Sequence, residues 1–217
     1  FRQMREAIAA TKTLRHETAK MSDAELMAKV SAEYKQPEGL FFPDTYLFAK
    51  GSSDLAIYKQ AHQMLLSRLK EAWEKRDANL PYKTPYEALI MASIVEKETG
   101  QKSERAMIAG VFVNRLRTGM MLQTDPSVIY GMGARYEGKI AKKDLTTDTP
   151  YNTYTRYGLP PTPIALPGTQ SLGAALAPAK TPALYFVSRN DGTSQFSDNL
   201  LDHNRAVNQY QPGASTP

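Results

Sequence analysis

Residues 84 to 99, Thr-Pro-Tyr-Glu-Ala-Leu-Ile-Met-Ala-Ser-Ile-Val-Glu-Lys-Glu-Thr, constrain the fold more than any other stretch. The start of a helix is written into them. Thr84 is a capping residue, Pro85 suits the first helical position, where no amide donor is needed, and Glu87 stands three residues after the cap as a capping box requires. With the register set, a turn of ~100° per residue puts Met91, Ile94 and Val95 on one apolar stripe. Glu98 falls inside that stripe, whereas Lys97 points away and Glu96 lies at its edge beside Leu89 and Ala92. A carboxyl group on an apolar face is either buried or at the end of its helix. Burial penalises the charged form and raises the pKa toward the range where the acid donates a proton at neutral pH. Gly100 is a natural stop, so the other reading is that Glu98 frays into water. Periodicity leaves both open.

The chain has 217 residues, enough for one domain of sizeable core or for a domain with a smaller helical appendage. No stretch approaches the roughly 20 apolar residues of a membrane span, and no signal peptide is visible. The chain opens on Phe1, with the texture of a protein interior, so a preceding anchor is expected to have been removed. The absence of cysteine excludes disulfides, thiol catalysis and zinc-thiolate sites. His16, His62 and His203 share no metal-ligand spacing, so neither a metal nor another cofactor is expected. A net charge of +5 invites a polyanion, but basic residues are interleaved with acids along the whole chain and no nucleic-acid reading element is recognisable. That distribution argues against nucleic acid and suits an anionic glycan equally well.

Residues 1 to 37 read as a charged, core-poor helical lead-in, with Ser22 and Glu25 as a capping box before Leu26, Met27 and Val30. The domain proper is expected over 38 to 211, followed by a loose tail at 212 to 217. After the break at Gln36-Pro37-Glu38-Gly39 comes an extended aromatic segment from Leu40 to Phe48, whose rings read as core. Helices are expected over Ser53 to Asp77 and over Ser103 to Thr118, the second stopped by Gly119. From Leu122 to Gly168 the density of Pro, Gly, Thr, Tyr and Asn resists long helices and implies loops over a rigid scaffold. Tyr130, Tyr136, Tyr151, Tyr154 and Tyr157 there supply flat amphipathic rings, the equipment of a sugar groove, though an inert packed loop has the same composition. Ala183 to Val187 and Ser194 to Phe196 read as a hairpin around Asn190-Asp191-Gly192, and a last helix covers Asn199 to Tyr210. The expectation is an α+β fold: a lysozyme-like helical part, a small antiparallel sheet and a groove built from loops.

Several ordered blocks carry a resemblance. Ala92-Ser93-Ile94-Val95-Glu96-Lys97-Glu98-Thr99, Val111-Phe112-Val113-Asn114-Arg115-Leu116, Leu122-Gln123-Thr124-Asp125-Pro126-Ser127-Val128-Ile129-Tyr130-Gly131, Tyr151-Asn152-Thr153-Tyr154 and Gly158-Leu159-Pro160-Pro161 are similar to the MltG (YceG-like) endolytic murein transglycosylases. The similarity runs from about Glu38 to Tyr210. It implies cleavage of the β-1,4 bond between N-acetylmuramic acid and N-acetylglucosamine in nascent peptidoglycan, with formation of a 1,6-anhydromuramyl end. It further implies a place at the periplasmic face of the inner membrane, contact with the membrane only through a removed N-terminal helix, a mostly missing LysM-like part, and peptidoglycan synthases as candidate partners.

By position, the family's catalytic glutamate falls on Glu98, and Glu98-Thr99 resembles the Glu-Ser pair that ends the catalytic helix of lysozyme-like transglycosylases. Gln123, Asp125, Tyr151, Asn152 and Tyr154 sit in family blocks and are expected to bind substrate. A glycoside hydrolase usually needs two carboxylates, whereas a lytic transglycosylase needs one that acts as acid and then as base. Two alternatives stand beside this reading: a hydrolysing muramidase with Asp125 as second carboxylate, and a glycan-binding scaffold in which Glu98 is structural.

Overall fold

A computed structural model describes residues 1–212, so the tail expected from 212 onward lies, except for Pro212, outside the described residues. In chain order the helices are α1 (Arg2–Ala10), α2 (Asp23–Val30), α3 (Asp54–Glu74), α4 (Pro85–Glu98), α5 (Arg105–Arg117), α6 (Asp125–Met132), α7 (Lys142–Thr146), α8 (Thr169–Leu176) and α9 (Leu200–Tyr210). Strands β1 (Tyr185–Ser188) and β2 (Ser194–Ser197) lie between α8 and α9. With one two-stranded sheet among these helices the fold is α+β.

The centre is α4. Its cap is as the sequence predicts, Thr84 Oγ1 accepting the Glu87 amide at 3.2 Å. The Glu87 carboxylate, however, accepts from the Lys83 amide and not from Thr84's own, so the box closes one residue early. The single apolar stripe is also exceeded: every residue from Ala88 to Val95 is buried. A helix apolar all round has to be sheathed on all sides. Helices α8, α5, α3 and α6 form the sheath, α8 most extensively.

Helix α8 is absent from the sequence-based expectation, because its small residues carry little periodic signal. Those same residues, Ser171, Ala174 and Ala175, are buried and let it lie close against α4. Its first turn is capped from outside: Gly168 N and Ser171 Oγ donate to Glu96 Oε2 at 3.1 and 2.6 Å. A negative charge at a helix N-terminus satisfies orphan amides and complements the helix dipole. Close packing recurs at Gly110 of α5, where an added Cβ would stand 2.6 Å from the Ala179 carbonyl oxygen.

The first 35 residues are not core-poor. Leu26 and Met27 are fully buried in the same core as α4, and Leu14 joins them. The helical pattern is broken between α1 and α2 by a segment held by Asp54, a buried carboxylate that accepts the Glu17 and Thr18 amides and the Thr18 hydroxyl. Leu40, Phe41 and Phe42 are core, as the aromatic segment suggested. The 122 to 168 stretch also departs from expectation by containing α6 and α7, both too short for periodicity to reveal. Asn152 ties it together. Its Nδ2 donates to the carbonyls of Asp144, Leu145 and Thr147, and its Oδ1 accepts the Tyr154 amide.

The hairpin pairs Tyr185 with Ser197 through Ser188 with Ser194, antiparallel. Asn190 (φ +64°) and Gly192 (φ +88°) supply the left-handed conformations of its turn. Phe186 packs edge-on against Phe112 of α5, and α9, capped by Asn199, covers the hairpin.

Two substitutions test this architecture. Gly110→Ala forces the α5 backbone away from Ala179, and overpacking of this kind costs about 1–3 kcal/mol, so Tm should fall by several degrees in a thermal melt. Asn152→Ala removes the partner of three part-buried carbonyls and one amide; a lost hydrogen bond of this kind costs about 1 kcal/mol, and the denaturant midpoint should fall.

Candidate active site

Glu98 is the last residue of α4, where the helix emerges from its sheath into a cleft of about 750 Å³. The walls come from α4, α5, the start of α6, the hairpin and α9. The carboxyl does not fray into water. Its Oε2 accepts the Thr124 hydroxyl at 2.7 Å. Burial is the largest influence on it and pushes its pKa from 4.5 up to about 7, with the Asp125 charge adding to the rise and the Thr124 hydrogen bond and Arg115 opposing it. A glutamic acid poised there is populated in both protonation states at neutral pH, as a group that first donates and then accepts a proton must be.

The neighbouring acid has another task. Glu96 lies on a different side of α4, receives Gly168 and Ser171, and pairs with Arg105 Nη2 at 3.4 Å. Its Oε2 holds α8 and its Oε1 pairs with the first residue of α5. Two residues of separation turn the side chains by ~200°, which sends one acid to structure and the other to the cleft.

Of the residues expected to bind substrate, Gln123, Asp125 and Tyr154 line the cleft with Glu98. Gln123 adopts φ +51°, an uncommon conformation for a residue with a side chain, fixed by its amide donating to Thr153 O at 3.0 Å. Asp125 is exposed in the first turn of α6 and accepts the Tyr154 hydroxyl at 2.6 Å. Burial first, then this bond to a carboxylate, raises the Tyr154 pKa well above the usual phenol range. Tyr151 and Asn152 are not in the cleft. The Tyr151 hydroxyl bonds Thr162 and its ring packs edge-on against Tyr130, while Asn152 is 1% exposed with its amide committed to the loop backbone.

Asn152 still bears on the site through its neighbour. Thr153 Oγ1 accepts the Thr124 amide at 3.0 Å and bonds Ser127 at 2.8 Å, so the pinned loop fixes the residue that orients Glu98. Thr124 and Arg115 lie outside the set expected from sequence. For Arg115 a signal existed: it stands three, four and seven residues after Phe112, Val111 and Ile108, the apolar face of α5, as Glu98 does on α4. It is 7% exposed and donates to the carbonyls of Leu184, Met121 and Leu122 and to Gln123 Oε1.

The chain is similar to proteins named endolytic murein transglycosylase. It is 39% identical over 178 residues to one from Bacillus subtilis, covering 80% of this chain and 48% of that protein. It is 30% identical over 191 residues to one from Streptococcus pneumoniae serotype 2, covering 85% of this chain and 34% of that protein. The chain thus spans half or less of the length of these relatives. A crystal structure of a YceG-like protein from Listeria monocytogenes superposes with a TM-score of 0.68 at 37% identity, over 82% of this chain and 58% of that one. The sequence profile of the YceG-like family matches residues 1–209, which includes the lead-in as well as the cleft, and the chain belongs to that family.

Proposed function

We propose that this chain cleaves peptidoglycan as an endolytic transglycosylase, with Glu98 as its one acid and base and a 1,6-anhydromuramyl end as its product. The observation that carries the reading is the Glu98 carboxyl, held at 2.7 Å by Thr124 and poised near neutral pH at a cleft. The names of the relatives supply the substrate class.

With Thr124 occupying Oε2, Oε1 is the oxygen left to exchange a proton with substrate. Protonated Glu98 gives its proton to the glycosidic oxygen as the bond to the muramoyl C1 breaks. The 2-acetamido group of that sugar stabilises the cationic carbon. Glu98, now anionic and eased by the Thr124 hydroxyl and the nearby Arg115, takes the proton of the C6 hydroxyl as that oxygen closes on C1. Water is not consumed, and the glutamate ends as it began. Gln123 and Tyr154 line the path along which the strand would lie.

Substrate of this kind belongs to the bacterial envelope. The reading therefore puts the chain at the periplasmic face of the inner membrane, where strands are made and peptidoglycan synthases would be its neighbours. Among the described residues no helix is long and apolar enough to cross a membrane, so an anchor would come from elsewhere.

One observation favours a second reading: Asp125 is near enough to raise the Glu98 pKa, and a hydrolysing muramidase would use it as a second carboxylate. Mass spectrometry of products from purified peptidoglycan separates the two. Anhydromuramyl ends support transglycosylation, and reducing muramic acid as the main product sinks it. Asp125→Asn should still give only anhydro ends. Because removal of its charge lowers the Glu98 pKa, the alkaline limb of the rate profile should move to lower pH.

Glu98→Gln should lower kcat/KM by about 100- to 10,000-fold, with Glu96→Gln losing far less turnover and some stability. In the wild-type chain kcat/KM should fall as pH rises through about 7, where Glu98 gives up its proton. Stability follows the same titration. A carboxyl whose pKa rises on folding binds its proton more tightly when folded, so stability declines from pH 4.5 to about 7 and stays reduced above. The uncharged glutamine escapes this, and Glu98→Gln should melt above wild type at pH 8.

A further inference from the structure

Asp125 is a carboxylate without a cation. It stands in the first turn of α6, yet among the described residues it bonds none of that helix's amides and pairs with no basic side chain. Its partner is the Tyr154 hydroxyl, which donates to Oδ1 at 2.6 Å. Tyr154 is fixed in turn, its amide donating to Oδ1 of the buried Asn152 at 2.9 Å. Oδ2 of Asp125 has no partner among the described residues, in a side chain that is exposed and lines the cleft.

Chain connectivity keeps this group beside Glu98. Thr124, the residue before Asp125, bonds the Glu98 carboxyl at 2.7 Å, and the Asp125 charge is close enough to act on it. That charge opposes the anion that Glu98 must become. What it favours is positive charge on the substrate.

We propose that Asp125 is a second catalytic carboxylate that moves no proton, its Oδ2 accepting the N–H of the muramoyl 2-acetamido group and so aiming the acetamido oxygen at C1. The inference rests on the transglycosylase reading and gives Asp125 a task within it. As Glu98 protonates the glycosidic oxygen, that oxygen leaves C1 with the bonding pair and the acetamido oxygen bonds C1. The cyclic cation so formed carries its charge on the O–C–N unit, with its N–H on Asp125. The C6 hydroxyl oxygen then bonds C1, the acetamido oxygen leaves with its electron pair, and the hydroxyl proton passes to Glu98. Asp125 ends unchanged. A fixed charge aimed where charge develops stabilises the transition state without having to reorganise. Tyr154 is the positioning residue, since its hydroxyl takes Oδ1 and leaves Oδ2 as the oxygen available to the acetamide.

The test is kcat on glycan strands at about pH 5.5, on the acid side of the Glu98 pKa of about 7. Asp125→Asn keeps the side-chain shape, but with its oxygen held by Tyr154 it offers an NH₂ group to the acetamido N–H, a donor against a donor. Removing the charge also makes Glu98 a stronger acid, which by itself would leave turnover at this pH equal or higher. The expected result is the opposite: kcat lower by about 100-fold, KM within a few-fold of wild type, and anhydro ends still the product. Because Asp125 is exposed, the thermal melt should stay close to wild type. Tyr154→Phe, which keeps the carboxylate and frees it to turn, should lower kcat by about 10-fold. A synthetic tetrasaccharide with the reacting muramoyl nitrogen methylated has no N–H, and on it Asp125→Asn should cost only a few-fold more than wild type. If wild type does not turn over the methylated sugar, kcat of Asp125→Asn on natural strands decides. Undiminished kcat for Asp125→Asn, or an equal loss on both substrates, overturns the role of Asp125 and leaves the transglycosylase reading standing. Reducing muramic acid as the main wild-type product overturns both.

Discussion

The structure depends on the burial of α4 on every side. Eight consecutive residues, Ala88 to Val95, have no face left for solvent, so the surrounding helices must close round them. A central helix packed in this way is held rigidly, because close-packed interiors admit few alternative arrangements. Whatever stands at its end inherits that rigidity. Glu98 stands there, and its position is set by the core before any loop contributes.

The last turn shows how one helix divides its acids. Glu96 remains inside the sheath and closes the N-terminus of α8, so it strengthens the packing that buries α4. Glu98 passes beyond it and meets Thr124, which is held by Thr153, whose loop is pinned by Asn152. The acid is thus aimed from two directions, by a helix and by a short chain of hydrogen bonds. The second matters because a carboxyl group at a helix end could otherwise rotate into water. Arg115 shows the opposite polarity by the same route, a charged residue on an apolar helical face steered into the cleft.

Electrostatics in the cleft follows from burial more than from charge pairing. Desolvation is the largest influence on Glu98, Arg115 and Tyr154 alike. In Glu98 it favours the neutral acid, and the Asp125 charge adds to it while Thr124 and Arg115 restrain the rise. Dominant desolvation, restrained by Thr124 and Arg115, leaves the pKa near 7, where one residue can both donate and accept. A single carboxylate is sufficient for chemistry in which the nucleophile is the substrate's own hydroxyl.

Elements whose signals are local are legible in the order of residues alone. Thr84, Pro85 and Glu87 announced α4, Gly119 ended α5, and Asn190-Asp191-Gly192 announced the hairpin, since caps and turns depend on neighbours in the chain. Helical periodicity also separated Glu98 from Glu96 and Lys97, and ordered blocks along the chain pointed to the family. Tertiary structure decided the rest. Helix α8 is built from small residues whose value lies only in the closeness of α4, and no periodic pattern records that. Asn152 and Tyr151 share a block with Tyr154, yet one holds a loop, one packs beside Tyr130, and only Tyr154 reaches the cleft. Which way each turns depends on contacts made with distant residues. The same holds for Arg115 and His203, which stand far apart in sequence and each pack on the Tyr185 ring only when α5, the hairpin and α9 are folded together.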